Sequence, residues 1–225
     1  MRELSDTEKK IMDAATIVFL EKGRDGARTQ IIADLAGINK ALLHYYFRSK
    51  DKLFELVAER EIRQFFGELM SQMPIEADFE TWLRSFIHNY LQLISQRPHI
   101  TRFVLWEIDE GADHLSGILK EMMENKGFHE NPIVALVSSA MQRSSIRQVD
   151  PPQFFISLLG LCIFPFIARP LLEKMIDGVN VSSEDFLVSR EAAIFDLVWN
   201  GLKLRDKNED NIVSGIEPSN NWLPW

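Results

Sequence analysis

The sequence predicts an all-α protein, and three observations carry that prediction. Apolar residues recur at helical spacing, as at Ile11, Ala14, Ala15, Val18 and Phe19, the stripe of an amphipathic helix. Capping side chains and terminating glycines fall between successive stripes. No stretch shows sustained strand alternation bounded by hairpin dipeptides, and there is no internal repeat or low-complexity tract.

The elements follow in order. Ser5 begins a Ser-Asp-Thr-Glu box in which Glu8 bonds back to the first helix start, and Gly23 and Gly26 end that helix. Thr29 is expected to cap a second helix, Gln30 to Leu35, which stops at Gly37. Asn39 caps a short third one, Lys40 to Phe47, and Ser49 and Asp51 open a longer helix to about Met70. Asp78 caps Phe79 to Ser95, which Pro98 breaks. Further helices are expected at about His99 to Glu110, His114 to Lys126 (ending at Gly127), Pro132 to Arg147, Pro152 to Ile176 and Glu184 to Leu204. From Asp206 to Trp225 the periodicity is lost. A tail is expected there, yet Trp222, Leu223 and Trp225 are unusual residues to leave in solvent, so this end is expected to dock on its own or a partner subunit.

Composition bounds the function. The 225 residues are 46% hydrophobic and 26% charged, as in an ordinary globular protein, which excludes a disordered chain, a collagen-like fibre and a disulfide scaffold. One cysteine, Cys162, cannot bridge internally, so a reducing compartment and a cytoplasmic location are expected; Cys162 itself reads as a small hydrophobe. The first twenty residues are charged and hold no continuous apolar run, so no secretion signal is expected. Phe154 to Ala168 is apolar on all sides but shorter than a bilayer requires and interrupted by Pro165. Burial in a core or against another subunit is expected, and no membrane.

A net charge of −8 argues, taken alone, against a nucleic-acid partner. Its distribution argues otherwise. Residues 1–63 hold 12 basic and 11 acidic side chains, a balance of +1, whereas the remainder holds 13 and 22, a balance of −9. Between Ala27 and Lys52 the basic residues Arg28, Lys40, Arg48, Lys50 and Lys52 face only Asp34 and Asp51. Two short helices joined by a tight turn at Gly37 form a helix-turn-helix pattern, whose second helix is built to enter a DNA major groove. In KALLHYYF, Leu43 and Phe47 pack inward, while Lys40, Ala41, His44 and Tyr45 project outward.

The stretch Thr29 to Glu55, TQIIADLAGINKALLHYYFRSKDKLFE, resembles the DNA-binding signature of the TetR family of bacterial transcriptional regulators. The matching elements are Thr29, Ile32-Ala33, Ala36-Gly37-Ile38, Leu43, Tyr46-Phe47 and Ser49-Lys50 leading into Leu53. The resemblance implies DNA contacts from Thr29, Gln30, Lys40, Ala41, His44, Tyr45, Tyr46 and Lys50. Thr29 and Lys50 would hold phosphates, Tyr46 the backbone, and the residues of the third helix base edges or nearby phosphates. His44 departs from the commoner tyrosine. Tyr45 and Tyr46 also suit the role of covering the domain's own core.

The same resemblance implies three parts: a DNA-binding domain at 1–50, a helical ligand-binding and dimerisation domain at 51–205 with 51–70 as connecting helix, and a tail at 206–225. It implies a repressor released from a palindromic operator by a small-molecule effector, working as a homodimer joined through 152–176 and 184–204. The apolar stripe Phe186, Leu187, Ala193, Ile194, Leu197, Val198 and Leu202 supports that seam independently. Candidate effector contacts are His88, Tyr90, Phe103, Trp106 and Glu107, although aromatics at helical spacing also make plain core. His99, Asp109, Asp113, His114 and His129 lack metal-ligand spacing and read as a solvated face, so neither metal nor cofactor is expected. No catalytic motif is found, and an enzyme is not expected. The competing class is a helical small-molecule binding protein or enzyme that does not touch DNA.

Overall fold

A computed structural model describes residues 5–74, 77–128 and 130–204. Among them are α1 (Asp6–Gly26), α2 (Thr29–Ala36), α3 (Lys40–Phe47), α4 (Lys50–Ser71), α5 (Phe79–Gln96), α6 (Ile100–Asp109), α7 (Asp113–Glu124), α8 (Pro132–Gln142), α9 (Pro151–Ile167), α10 (Arg169–Met175) and α11 (Glu184–Leu202). No strand occurs among the described residues, so the fold is all-α.

The local signals act as their chemistry dictates. Ser5 Oγ accepts from the Glu8 amide at 3.3 Å, and the Ser5 amide donates to Glu8 Oε2 at 2.8 Å, which closes the capping box of α1. Gly23, at φ 70 and ψ 176, kinks the last turn of α1. Asn39, Ser49 and Asp78 each accept from an amide three residues on, at 2.7, 3.0 and 2.8 Å. Thr29 departs from expectation. The Ile32 amide bonds to the Arg28 carbonyl, so Arg28 takes the N-cap position without a side-chain bond and Thr29 is already the first residue of α2.

Two cores share one helix. Ile11, Phe19, Ile32, Leu43, Phe47 and Leu53 fill the first, together with Phe103, Leu115 and Ile118 from α6 and α7. The second joins α5 to α8, α9 and α11 through Leu83, Ile87, Ile94, Val137, Leu158 and Ile194. Helix α4 serves both, with Leu53, Val57 and Ile62 in the first and Phe65 and Leu69 in the second. Its 22 residues span about 33 Å at ~1.5 Å per residue. It is one beam through two cores.

The single helix expected over Pro152 to Ile176 is two, bent by 71° between α9 and α10. Pro170 cannot continue α9, because its ring would meet the carbonyl four residues back, and it sits instead in the first turn of α10. Pro165 lies inside α9 and leaves the Leu161 carbonyl without its usual amide donor. Arg190 of α11 supplies one, donating from Nη2 to Leu161 O at 2.7 Å. Likewise α8 stops at Gln142 rather than Arg147; Ser144 turns at φ 53, Ile146 plugs the core, and the Arg147 amide donates to Leu202 O at 2.8 Å.

Among the described residues no single helix is long and apolar enough to cross a membrane; only the bent pair α9–α10 reaches the length. Helix α9 buries Leu158, Cys162 and Pro165 but leaves Ile156 and Phe164 60% and 56% exposed. Burial pushes the Cys162 thiol up to about 12, so it is inert near neutral pH. The docking expected of Trp222, Leu223 and Trp225, and the tail assigned to 206–225, lie outside the described residues.

Candidate nucleic-acid interface

The eight residues of α3 separate cleanly by face. Leu43 and Phe47 are buried against Ile32 and Ala33 of α2. Lys40, Ala41, His44 and Tyr45 are exposed, Tyr45 by 70%. A large aromatic ring held that far in water, edge-on to Tyr46 at 5.4 Å, gains nothing from the fold itself. Tyr46 is half-buried and packs against the first core, which favours the core-covering role weighed for it. Gly37, at φ 69 and ψ 31, makes the left-handed turn between α2 and α3, and its amide donates to the Ala33 and Asp34 carbonyls.

Around this face the backbone and the charges are arranged for an anion. With no side chain capping α2, the first amides of that helix stay available, and the helix dipole adds partial positive charge there. Thr29 is half-buried in that turn, and exposed Gln30 donates from Nε2 to Asp34 at 2.8 Å. Lys50, first in α4, donates from Nζ to the Asp25 carbonyl at 3.3 Å, which brings the start of α4 beside the end of α1, four residues ahead of α2. Arg28, Lys40 and Arg48 have no carboxylate partner among the described residues and are exposed.

Arg48 joins α3 to α4 in an unusual way. Its φ and ψ are 61 and −50, and the Ser49 amide bonds to the Phe47 carbonyl at 2.6 Å across it. That is a γ-turn with positive φ, the strained form, at a non-glycine residue. Such conformations cost on the order of 1–3 kcal/mol. The composition of Arg48-Ser49 carries no signal for it, and in the sequence Arg48 stands out only by its charge.

The residues expected to contact an effector are not gathered around one space. Exposed His88 bonds to Glu191 of α11 at 2.8 Å and ties α5 to α11. Phe103 packs tilted and Trp106 edge-to-face against Phe54 of α4 in the first core, with centroids at 5.3 and 4.8 Å. Glu107 is buried because it caps α7 from outside. It accepts from the Leu115 amide at 3.0 Å and lies 2.9 Å from His114 Nδ1. Tyr90 alone lies deep in the second core, where burial raises its hydroxyl pKa and the described residues give that hydroxyl no hydrogen-bond partner. Arg190 Nε, in the same region, is also buried without a partner. Two shallow depressions of about 230 and 250 Å³ lie along α11, one beside Arg84 and Phe195, the other beside Phe154 and Leu197.

The expected solvated face of histidines is also corrected. His99 Nε2 lies 3.2 Å from Glu61 of α4, and His114 bridges Glu107 and Glu59 of α4. Both clamp the α6–α7 pair to α4, and His129 lies outside the described residues. His99 and Arg60 hold the Glu61 carboxyl below its ordinary value. Arg24, at the end of α1, sits 4.9 Å over the Trp106 ring and pairs with Asp51 at 3.2 Å and Glu110 at 3.4 Å. These links around the first core join residues far apart in sequence, which local periodicity does not record. No cluster able to hold a metal occurs among the described residues.

Comparison with known proteins places this geometry in company. A family profile described as bacterial regulatory proteins, tetR family, matches residues 11–57. The chain is 29% identical over 159 residues to the HTH-type transcriptional regulator RutR of Escherichia coli K12, covering 67% of this chain and 69% of that one. It is 25% identical over 187 residues to the HTH-type transcriptional repressor SCO4008 of Streptomyces coelicolor, covering 83% and 91%. The solved structure of the regulator FadR from Bacillus subtilis, in complex with stearoyl-CoA, superposes with a TM-score of 0.64 at 17% identity, over 86% and 98% of the two chains.

Proposed function

We propose that this chain, whose residues 11–57 match the profile of the tetR family of bacterial regulatory proteins and which is similar to helix-turn-helix regulators of transcription, is a regulator of that kind, reads a DNA operator with α3 and acts as a repressor released by a small molecule. The observation that carries this reading is the exposed face Lys40, Ala41, His44 and Tyr45 on a helix whose other face is buried. Lys40 would donate to guanine O6 and N7 or to a phosphate, and the Ala41 methyl would meet a thymine methyl. Thr29, Gln30, the free amides of α2 and Lys50 would hold phosphates on either side, with Tyr46 at the rim. His44 suits a phosphate as well as a base.

A second copy of the chain completes the reader. Ile156 and Phe164 of α9 and Val188 and Leu197 of α11 are each more than half exposed, a face that supports a homodimer through 152–176 and 184–204. Two reading heads then meet two halves of a palindrome. The division at residue 50, with 51–70 as connecting helix, fits a chain in which α4 carries both cores. An effector held in the second core would find the Tyr90 hydroxyl and Arg190 Nε unpartnered. Binding there would shift α4 through the His99, His114 and Arg63 links and alter the spacing of the heads. A role on DNA supports the expected cytoplasmic location. The reading without DNA contact leaves the exposed α3 face unexplained.

Selecting duplexes from a random-sequence pool tests this. An imperfect palindrome should be enriched, and Lys50→Ala should lower the salt dependence of its binding by about 1 per subunit, about 1.8 for the dimer. If no duplex binds at low salt, the reading fails.

A further inference from the structure

We infer that Arg48 is a phosphate-contacting residue of the DNA interface, held in a strained turn for that purpose; the inference rests on the DNA-reading role of α3. The γ-turn at φ 61 and ψ −50 is a conformation that glycine adopts freely and a side chain resists. Nothing in the local packing repays an arginine there. The residue is exposed, no carboxylate pairs with it among the described residues, and its side chain makes no hydrogen bond. Neighbouring cations on other faces are committed: Arg24 to Asp51 and Glu110, Lys52 to Glu55, Arg60 to Asp13, Arg63 to Glu59 and Glu121.

Its place in the chain supplies the purpose. Arg48 follows His44 by four residues and Tyr45 by three, so it extends the outward row of α3 to the end of the helix, and it precedes Lys50 by two. The turn closes against buried Phe47 on one side and the cap Ser49 on the other. The Cα of Arg48 is therefore fixed by both helices, and a guanidinium on it approaches the DNA backbone from a rigid base. Arginine gives a planar, permanently charged fork that suits two phosphate oxygens.

The test uses the full chain and a short labelled duplex enriched from a random pool by the unsubstituted protein, titrated between about 50 and 200 mM salt. Arg48→Gly removes the charge and relieves the turn. It should melt at the same temperature or higher, bind at least roughly five- to tenfold more weakly near 0.1 M salt, and lower the log–log salt slope by about 1.8, one lost contact from each of two subunits. Arg48→Lys keeps the charge and should keep the slope. Arg48→Asn, which also tolerates positive φ, repeats the measurement should the glycine variant misfold. An unchanged slope in Arg48→Gly, or an equal loss in Arg48→Lys, overturns this inference while leaving the DNA reading intact. Failure of the unsubstituted protein to bind any duplex overturns both.

Discussion

The two ends of the molecule leave opposite things unsatisfied. Around α2 and α3 the fold buries its apolar side chains and leaves cations without partners: Arg28, Lys40 and Arg48 in solvent, and Lys50 on a lone backbone carbonyl. Around α9 and α11 the arginines are turned onto the protein itself, Arg84 to Glu80, Arg169 to Glu173 and Arg190 to the Leu161 carbonyl, while Ile156, Phe164, Val188 and Leu197 stand in water. Free charge invites a phosphate, and free apolar surface invites another protein surface. One chain is thus prepared for two partners, at opposite ends of α4.

The largest expected effect breaks the apolar end. Ile156→Glu combined with Leu197→Glu should yield a folded monomer by light scattering. Duplex affinity should fall by roughly 10²–10⁴-fold, because two linked heads become one. A dimer that persists would mean that this face is covered in another way.

The next prediction concerns the repair inside α9. Arg190→Met leaves Leu161 O without a donor and should cost about 1–3 kcal/mol in denaturant unfolding. Pro165→Ala restores the missing amide, so the same arginine substitution should cost less in that background. Equal costs in both backgrounds would break the assigned pairing of Pro165 with Arg190.

How much of this was legible in the sequence follows the same division. In the opening region the signals are local. Ser5 and Glu8 lie three residues apart, Asn39 and Leu42 likewise, and Gly37 acts on its own backbone. Periodicity and caps therefore predict α1, α3 and α4 closely. Even Thr29 misses only because a backbone bond started α2 one residue earlier. In the later region the decisive contacts are distant. Leu161 meets Arg190 across 29 residues, Glu61 meets His99 across 38, and Arg24 meets Glu110 across 86. No window of helical turns records such pairs. That is why His99 and His114 read as solvated, why Phe103, Trp106 and Glu107 read as one pocket, and why the bend before α10 read as continuous helix.

A smaller effect sharpens the legible end. Ser5→Ala removes one half of the capping box and should cost about 1 kcal/mol, read as a lower denaturant midpoint with unchanged slope. The smallest is a pH effect on the clamp between α4 and α6. Glu61 is held below its ordinary carboxylate value of 4.5, first by His99. Its contribution to stability is therefore complete above pH 4.5 and is lost as the pH falls through the lower folded value. His99→Ala should flatten that acid limb, and thermal midpoints measured across it would show whether it does.

The central claim is that the free cations at the α2–α3 end meet DNA phosphates. The most direct measurement is the salt dependence of duplex affinity for the full chain and for Lys50→Ala. The account predicts a steep negative slope of log affinity against log salt, shallower in the variant by about 1.8 for a dimer that loses one contact per subunit. A slope that Lys50→Ala leaves unchanged, or no binding to any duplex at low salt, would contradict it.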